Sequence, residues 1–292
     1  MSTYSYLANP STTRATLERF GLATKHALGQ NFLVNDVVIG RICQLSEVCE
    51  ADRVLEVGPG IGTLTVALCP RADRVLSVER DVDLPRVLAE TLYDYDNFTL
   101  ISKDALDLTW DDICELAPNK FISNLPYAVA ATLVLDYFQR FSCLESATVM
   151  VQSEVADRMQ ATCGCKDYGA YTVKLNLLAQ ASARFQVSPG NFFPPPHVDS
   201  AVIRIDRVER GWTPQDQRWA SLAADAAFFT RRKTISNSMK TFFSGRIGYG
   251  EVSSQIPALL SEAGIDPRRR GETLSLEEFV TLGRTLRQAV EG

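Results

Sequence analysis

The feature that most constrains this chain is the run Val-Leu-Glu-Val-Gly-Pro-Gly-Ile-Gly-Thr-Leu-Thr from Val54 to Thr65. A short β-prone segment enters a turn with glycines at 58, 60 and 62 and leaves it as an apolar helical stretch. That order reads as strand, tight turn, helix. Glycine at such a turn allows positive φ and a close approach of the backbone to a ligand. The alternation then repeats. Strand-like Arg74 to Val78, Phe98 to Ser102, Lys120 to Ser123 and Ala147 to Gln152 interleave with helix-like Leu84 to Leu92, Ala128 to Phe141 and Glu154 to Gln160. This pattern predicts a mostly parallel sheet wrapped by helices, an α/β fold. In such sheets ligands bind at the carboxyl ends of the strands.

Those ends carry the polar residues. Glu79 closes the second strand, 21 residues after Gly58. A carboxylate there is placed to accept hydrogen bonds from both hydroxyls of a ribose. The spacing alone fits either a nicotinamide cofactor or S-adenosylmethionine. The third glycine, however, comes one residue earlier than in the dinucleotide fingerprint, and Glu56 lies two residues before the first. An acid at 56 suits a cationic amino-acid tail better than a pyrophosphate, which favours the sulfonium cofactor and disfavours a dehydrogenase. At the third strand end Asp104, followed by Ala105, is placed to accept from an adenine amino group. At the fourth stands Asn124-Leu125-Pro126-Tyr127. An amide, a proline-fixed backbone and an aromatic ring are the groups needed to hold an exocyclic amine and stack on its ring. Taken singly, each of these residues also reads as a cap or a packing contact.

Composition bounds the rest. The chain of 292 residues is 46% hydrophobic, enough for a sizeable core, and no apolar run approaches the ~20 residues that span a bilayer. The polar N-terminus has no secretory h-region, so a cytoplasmic protein with no membrane partner is expected. Seven cysteines are scattered without a disulfide framework. Cys163-Gly164-Cys165 reads as a reduced loop pair, since two thiolates do not close a zinc site and the chain has two histidines, so no metal is expected.

Net charge is −5, but it is unevenly spread. Residues 201–292 carry 14 Lys and Arg against 11 Asp and Glu, while the first 200 carry 16 against 24. No acid occurs between Asp225 and Glu251, a window holding Arg231, Arg232, Lys233, Lys240 and Arg246 among Phe228, Phe229, Phe242 and Phe243. Such a helix packs its aromatics inward and presents its cations to phosphate or simply to water. Residues 1–35 read as a polar arm. Ala183 to Val187 and Ala201 to Ile205 read as two strands closing the sheet antiparallel. Beyond Gly211 and Pro214 only helices are expected: Gln215 to Phe229, Lys233 to Phe243, Val252 to Ala263 and Leu276 to Val290. The expected division is therefore a catalytic domain over 1–208 and a helical domain over 209–292.

Several segments together resemble one family. Lys25 to Leu33, Glu56 to Gly62, Glu79, Asp104, Asn124 to Tyr127 and Phe192 to Val202 (Phe-Phe-Pro-Pro-Pro-His-Val-Asp-Ser-Ala-Val) resemble the ribosomal RNA adenine N6,N6-dimethyltransferases, in order and across almost the whole chain. Pro194 to Val202 and Phe228 to Ser238 look like the small-subunit housekeeping branch. Cys163-Gly164-Cys165 and Asp83-Leu84-Pro85 depart from the family pattern and touch no chemical group.

The resemblance implies a Rossmann-like class I methyltransferase with a small C-terminal all-helical domain. It implies S-adenosylmethionine as cofactor, held by Gln30, Asn31, Leu33, Glu56, Gly58, Gly60, Gly62, Glu79, Asp104, Ala105 and Asn124. Asn124, Leu125, Pro126 and Tyr127 would engage the target adenine, with Phe192, or failing it Phe193, on its other face. The implied substrate is two adjacent adenosines in a hairpin near the 3′ end of small-subunit (16S) RNA, within an immature 30S particle and with no obligate protein partner. Arg231, Arg232, Lys233 and Lys240 would meet its phosphates. The alternatives are a large-subunit methylase of the macrolide-resistance type, a DNA adenine methylase, or a non-catalytic assembly or transcription factor on the same fold.

Overall fold

The computed structural model describes residues 3–23, 30–246, 249 and 251–291. Two compact units emerge, Met1–Ala156 with Ala181–Arg207, and Asp157–Gln180 with Val208–Gly292. In chain order the first unit and its connection to the second run α1 (Pro10–Arg19), β1 (Phe32–Leu33), α2 (Asp36–Ser46), β2 (Arg53–Val57), α3 (Thr65–Leu68), β3 (Arg74–Glu79), α4 (Pro85–Thr91), β4 (Phe98–Ser102), α5 (Trp110–Ile113), β5 (Lys120–Asn124), α6 (Ala130–Arg140), β6 (Ser146–Gln152) and α7 (Ser153–Gln160). Then follow α8 (Ala170–Asn176), β7 (Ala179–Val187), β8 (Phe192–Phe193), β9 (Ser200–Arg207), α9 (Pro214–Phe228), α10 (Ile235–Phe243), α11 (Val252–Glu262) and α12 (Leu276–Glu291).

The first unit is a seven-stranded sheet in the order β4-β3-β2-β5-β6-β9-β7. Neighbours from β4 to β6 are parallel, and β9 runs antiparallel to β6. The centre is buried on both faces: β5 and β6 expose only their last residues in part, which is why neither alternates between apolar and exposed polar positions. Ile39 and Ile42 of α2 pack with Val54, Ile122 and Met150, and Val87 and Leu88 of α4 pack with Ile61 and Val66. Tyr137 of α6 lies between Phe121 and Phe141, with ring centroids 5.1 Å from each. The parallel register brings Val57 beside Val78 and Glu79 beside Ser102, so the turns after β2, β3, β4 and β5 open at one edge.

Within the described parts of the N-terminal arm, residues 3–23 and 30–35, the chain forms regular elements. Asn9 caps α1 by accepting the Thr12 N–H at 2.8 Å, and Pro10 opens its first turn. Only Thr13 and Leu17 of this helix are buried, a stripe too thin to read as amphipathic. Past the helix, β1 pairs antiparallel with β8, matching Phe32 to Phe193 and Leu33 to Phe192. Lys25 to Gly29 lie outside the described residues.

The second unit is helical, as expected beyond Gly211, but its boundary differs from 209. It begins at Val208 and also takes in Asp157–Gln180. Tyr168 and Val173 pack into one cluster with Trp219, Ala223, Met239 and Phe279, and the Tyr168 hydroxyl donates to the Leu274 carbonyl at 3.1 Å. Burial of that aromatic and apolar surface assigns the segment to the helices. Gly283 lets α12 cross α9 closely, since a Cβ there would lie 2.6 Å from the Ala220 nitrogen. Asp216, capping α9 with Thr213, is held at 2.9 and 3.0 Å by the Arg284 guanidinium. Among the described residues no helix is long and apolar enough to cross a membrane.

Candidate active site

A cavity of about 530 Å³ opens at the carboxyl edge of the first unit's sheet. Its floor is the turn after β2, where Gly58, Gly60 and Gly62 have φ of 69°, 62° and 90°. At Gly60 the left-handed backbone coincides with a close approach, because a Cβ would lie 3.0 Å from the Phe32 ring. Gly58 and Gly60 line the cavity. Gly62 does not; the space beside it is filled by Thr91 Oγ1 at 3.1 Å and Leu88 at 3.4 Å, so its role is to admit α4 rather than a ligand.

Three carboxylates ring the space. Glu56 is 1% exposed, and one of its oxygens accepts from both Thr65 Oγ1 and Ser77 Oγ at 2.7 Å. Burial pushes its carboxyl up to about 7, against the lowering pull of the two hydroxyls, and nearby Glu79 adds to the rise. Glu79 is also pushed up, chiefly by burial, although the Asp81 and Gly60 N–H groups donate to it. Asp104 accepts the Leu106 N–H at 3.0 Å and pairs with Arg80 at 3.2 Å. The Tyr137 hydroxyl donates to the Ala105 carbonyl at 2.9 Å and fixes that turn from beneath.

On the opposite wall the Asn124 amide nitrogen donates to the Asn31 carbonyl at 3.2 Å. This contact turns the amide so that its oxygen is the acceptor left for a ligand. Leu125 is buried, and its N–H donates to the Met150 carbonyl at 3.1 Å. The Pro126 carbonyl accepts the Val129 N–H. Tyr127 is half-buried, with its hydroxyl 2.6 Å from Ser200 Oγ.

The cavity therefore collects Gln30, Asn31, Leu33, Glu56, Gly58, Gly60, Glu79, Asp104, Ala105 and the whole Asn124–Tyr127 turn. Phe192 is not among its walls. The side chain is 4% exposed and packs with Leu33, Met150 and Val202, because pairing with Leu33 turns residue 192 to the core face. Phe193 is half-buried, with the Arg14 guanidinium 5.4 Å from its ring centroid. Sequence reasoning missed Thr63, Arg80, Lys103 and Gln152, which also line the space. For Thr63 the signal was its place directly after the glycines.

In the helical unit the guanidinium of Arg231 donates to the carbonyls of Lys166 and Tyr168, tying down the loop that holds Cys163 and Cys165. It is a structural anchor before it is a phosphate ligand. Arg232 and Lys233 are exposed, and Lys240 is half-buried. Phe242 and Phe243 are buried as expected, whereas Phe229 is 54% exposed. Backbone bonds from Ile235 to Arg269 and from Ser236 to Pro267 bring Arg268, Arg269 and Arg270 beside the start of α10. Sequence reading ended its basic window at Glu251 and missed this second cluster.

The residues fit S-adenosylmethionine. Thr63 Oγ1 lines the cavity, is buried and has no partner among the described residues, and the glycine turn leaves room for a ligand against the backbone. Acids at 56, 79 and 104 match an ammonium, a ribose and an adenine amine. The fold and the cavity define a class I methyltransferase. Residues 21–281 match the family model described as Ribosomal RNA adenine dimethylase. The chain is 38% identical over 269 residues to the Ribosomal RNA small subunit methyltransferase A of Clostridium botulinum (strain Okra / Type B1), covering 91% of this chain and 95% of that one. It is 38% identical over 285 residues to the protein of the same name from Staphylococcus aureus (strain Newman), covering 94% of each. Solved structures of similar fold include a dimethyladenosine transferase from Plasmodium falciparum, with a TM-score of 0.72, 22% identity and coverage of 86% and 95%. The 23S rRNA methyltransferase ErmE follows, with a TM-score of 0.63, 26% identity and coverage of 88% and 100%. The chain belongs to the ribosomal RNA adenine dimethylase family, and it is an S-adenosylmethionine-dependent rRNA adenine dimethyltransferase.

Proposed function

We propose that this enzyme dimethylates N6 of two adjacent adenosines in a hairpin near the 3′ end of small-subunit RNA, acting on an immature 30S particle in the cytoplasm. Identity of 38% along nearly the full length of proteins named for the small subunit supports this branch.

The observation that carries the chemistry is the orientation of Asn124. When bound, S-adenosylmethionine supplies a methyl group already activated on a sulfonium. The difficulty lies with the nucleophile, because the N6 lone pair of adenine is delocalised into the ring. The Asn124 side-chain oxygen accepts one N6–H, and the Leu125 carbonyl accepts the other in preference to that of Pro126, which Val129 already occupies. Two acceptors favour the pyramidal amine and stabilise positive charge developing on nitrogen. Tyr127 stacks on the unstacked base, and the fixed turn supplies orientation. In the helical unit, Arg232 and Lys233 with the adjoining Arg268 and Arg270 hold RNA phosphates. The test is methyl transfer to small subunits from a strain lacking the modification, compared with naked large-subunit RNA. Two dimethyladenosines side by side in the small-subunit RNA are expected, and labelling of large-subunit RNA alone would overturn the assignment.

A further inference from the structure

Of the segments singled out in the sequence, Val198-Asp199-Ser200-Ala201-Val202 has no part in the chemistry so far. Yet its serine reaches the active site. Ser200 is the first residue of β9, stands opposite Gln152 at the end of β6, and is fully buried. The Asp199 carbonyl accepts the Ser153 N–H at 3.0 Å, which ties the same corner to the start of α7. Antiparallel pairing therefore carries Ser200 to the carboxyl edge of β6, next to the turn that follows β5. Its Oγ lies 2.6 Å from the Tyr127 hydroxyl.

Tyr127 needs such a tether. It sits in an irregular turn between β5 and α6, where no sheet or helix ladder fixes it. Its ring rotates about two side-chain torsions, and a stacking surface is useful only in one plane. From this geometry we infer that Ser200 is a positioning residue, whose hydroxyl locks the Tyr127 ring in the plane that stacks on the target adenine. The hydroxyl of Tyr127 is then a mechanical handle rather than an acid or base. Burial pushes its pKa further up, against the lowering pull of the Ser200 contact. The inference rests on the reading of Tyr127 as the stacking residue.

A double-mutant cycle tests it on the full-length enzyme with small subunits as substrate. Ser200→Ala and Tyr127→Phe each remove one side of a single hydrogen bond, so each should lower kcat about fivefold to tenfold, the effect of about 1 kcal/mol. KM for S-adenosylmethionine should stay unchanged, because neither hydroxyl is among the groups assigned to the cofactor. The double variant should be no slower than either single one, and Ser200→Thr, which keeps the hydroxyl, should restore the rate. Multiplying losses in the double variant, or a Ser200→Ala enzyme of native kcat, would overturn the inference. Should Ser200→Ala fail to fold, Tyr127→Phe still decides, since native turnover in that variant refutes the tether. Tyr127→Ala separates the two levels. Full activity there sinks the stacking reading itself, whereas a dead Tyr127→Ala beside a native Ser200→Ala sinks only the tether.

Discussion

Glu56 gives the sharpest quantitative test, because its burial has opposite consequences for stability and for binding. Its carboxyl is held up to about 7, against an ordinary 4.5, chiefly by burial. In the unfolded chain it ionises near the ordinary value. Between those two values the unfolded state has lost its proton and the fold has kept it, so rising pH favours unfolding. The favourable contribution of the neutral acid is full below pH 4.5, falls through the interval and is gone above about 7. A gap of roughly 2.5 units at ~1.36 kcal/mol per unit amounts to about 3 kcal/mol. Glu56→Gln keeps the shape and an oxygen for Thr65 and Ser77 but never ionises. Without cofactor, its unfolding free energy should match the parent's near pH 4.5 and exceed it by about 3 kcal/mol at pH 8. Binding should move the other way. On the proposed assignment of Glu56 to the cofactor's ammonium, the parent should bind S-adenosylmethionine more tightly as pH rises through about 7 and the acid ionises, while the variant should be weaker and insensitive to pH in that window. Urea melts from pH 4.5 to 8.5 and calorimetric titration read both effects. A stability difference between parent and variant that is independent of pH would refute the reasoning.

Three further outcomes follow from the site. Asn124→Ala should leave cofactor affinity within about tenfold while cutting turnover at saturation by 100-fold or more, the scale for a lost oxyanion-type contact; weaker cofactor binding with native turnover, read by titration and steady-state kinetics, would contradict its role. Gly60→Ala forces a side chain into a left-handed backbone against Phe32 and should cost about 1–2 kcal/mol in unfolding free energy, with weakened cofactor binding in titration. Changing Arg232 and Lys233 together to Gln should reduce the slope of log affinity against log salt for RNA by about 1.5, since each phosphate contact contributes ~0.7–0.9, and a filter-binding series with an unchanged slope would remove them from the interface.

Most of the fold was legible because its signals are local. Each strand of the sheet's centre is an apolar run bounded by a turn, and each crossover helix follows it in sequence. The helix expected over Leu84 to Leu92 is α4, with Pro85 in its first turn. What escaped was structure made by distant pairing or thin burial. The ribbon β1–β8 is two residues on each side and exists only because Phe32 and Leu33 meet Phe193 and Phe192, some 160 residues away. Helix α1 buries two side chains, and α8 is seven residues long and takes its place from partners in α9 and α12. No window of sequence contains those partners.

The site divides along the same physical line. Cavity-lining groups at strand ends and on the glycine turn, such as Glu79, Asp104, Asn124, Gly58 and Gly60, were readable, because strand ends and turns fix where they stand, whereas Arg80, Lys103 and Gln152 beside them carried no such signal. Groups that aim the readable side chains were not legible either, because an aiming contact has no preferred spacing. Asn124 is turned by the backbone of Asn31, which any residue at 31 would supply as well. Tyr127 is reached by Ser200, 73 positions away, and Ala105 by the hydroxyl of Tyr137, which in sequence is one more apolar residue of α6. Phe192 shows the converse error. Its place before the prolines resembled a stacking aromatic, yet the period of two along β8 packs 192 with Leu33, Met150 and Val202 and turns 193 toward the cluster of Leu17, Phe32 and Ile61. A motif names the residue types a reaction requires; which face each of two adjacent side chains takes is decided by a register that only the pairing partner sets.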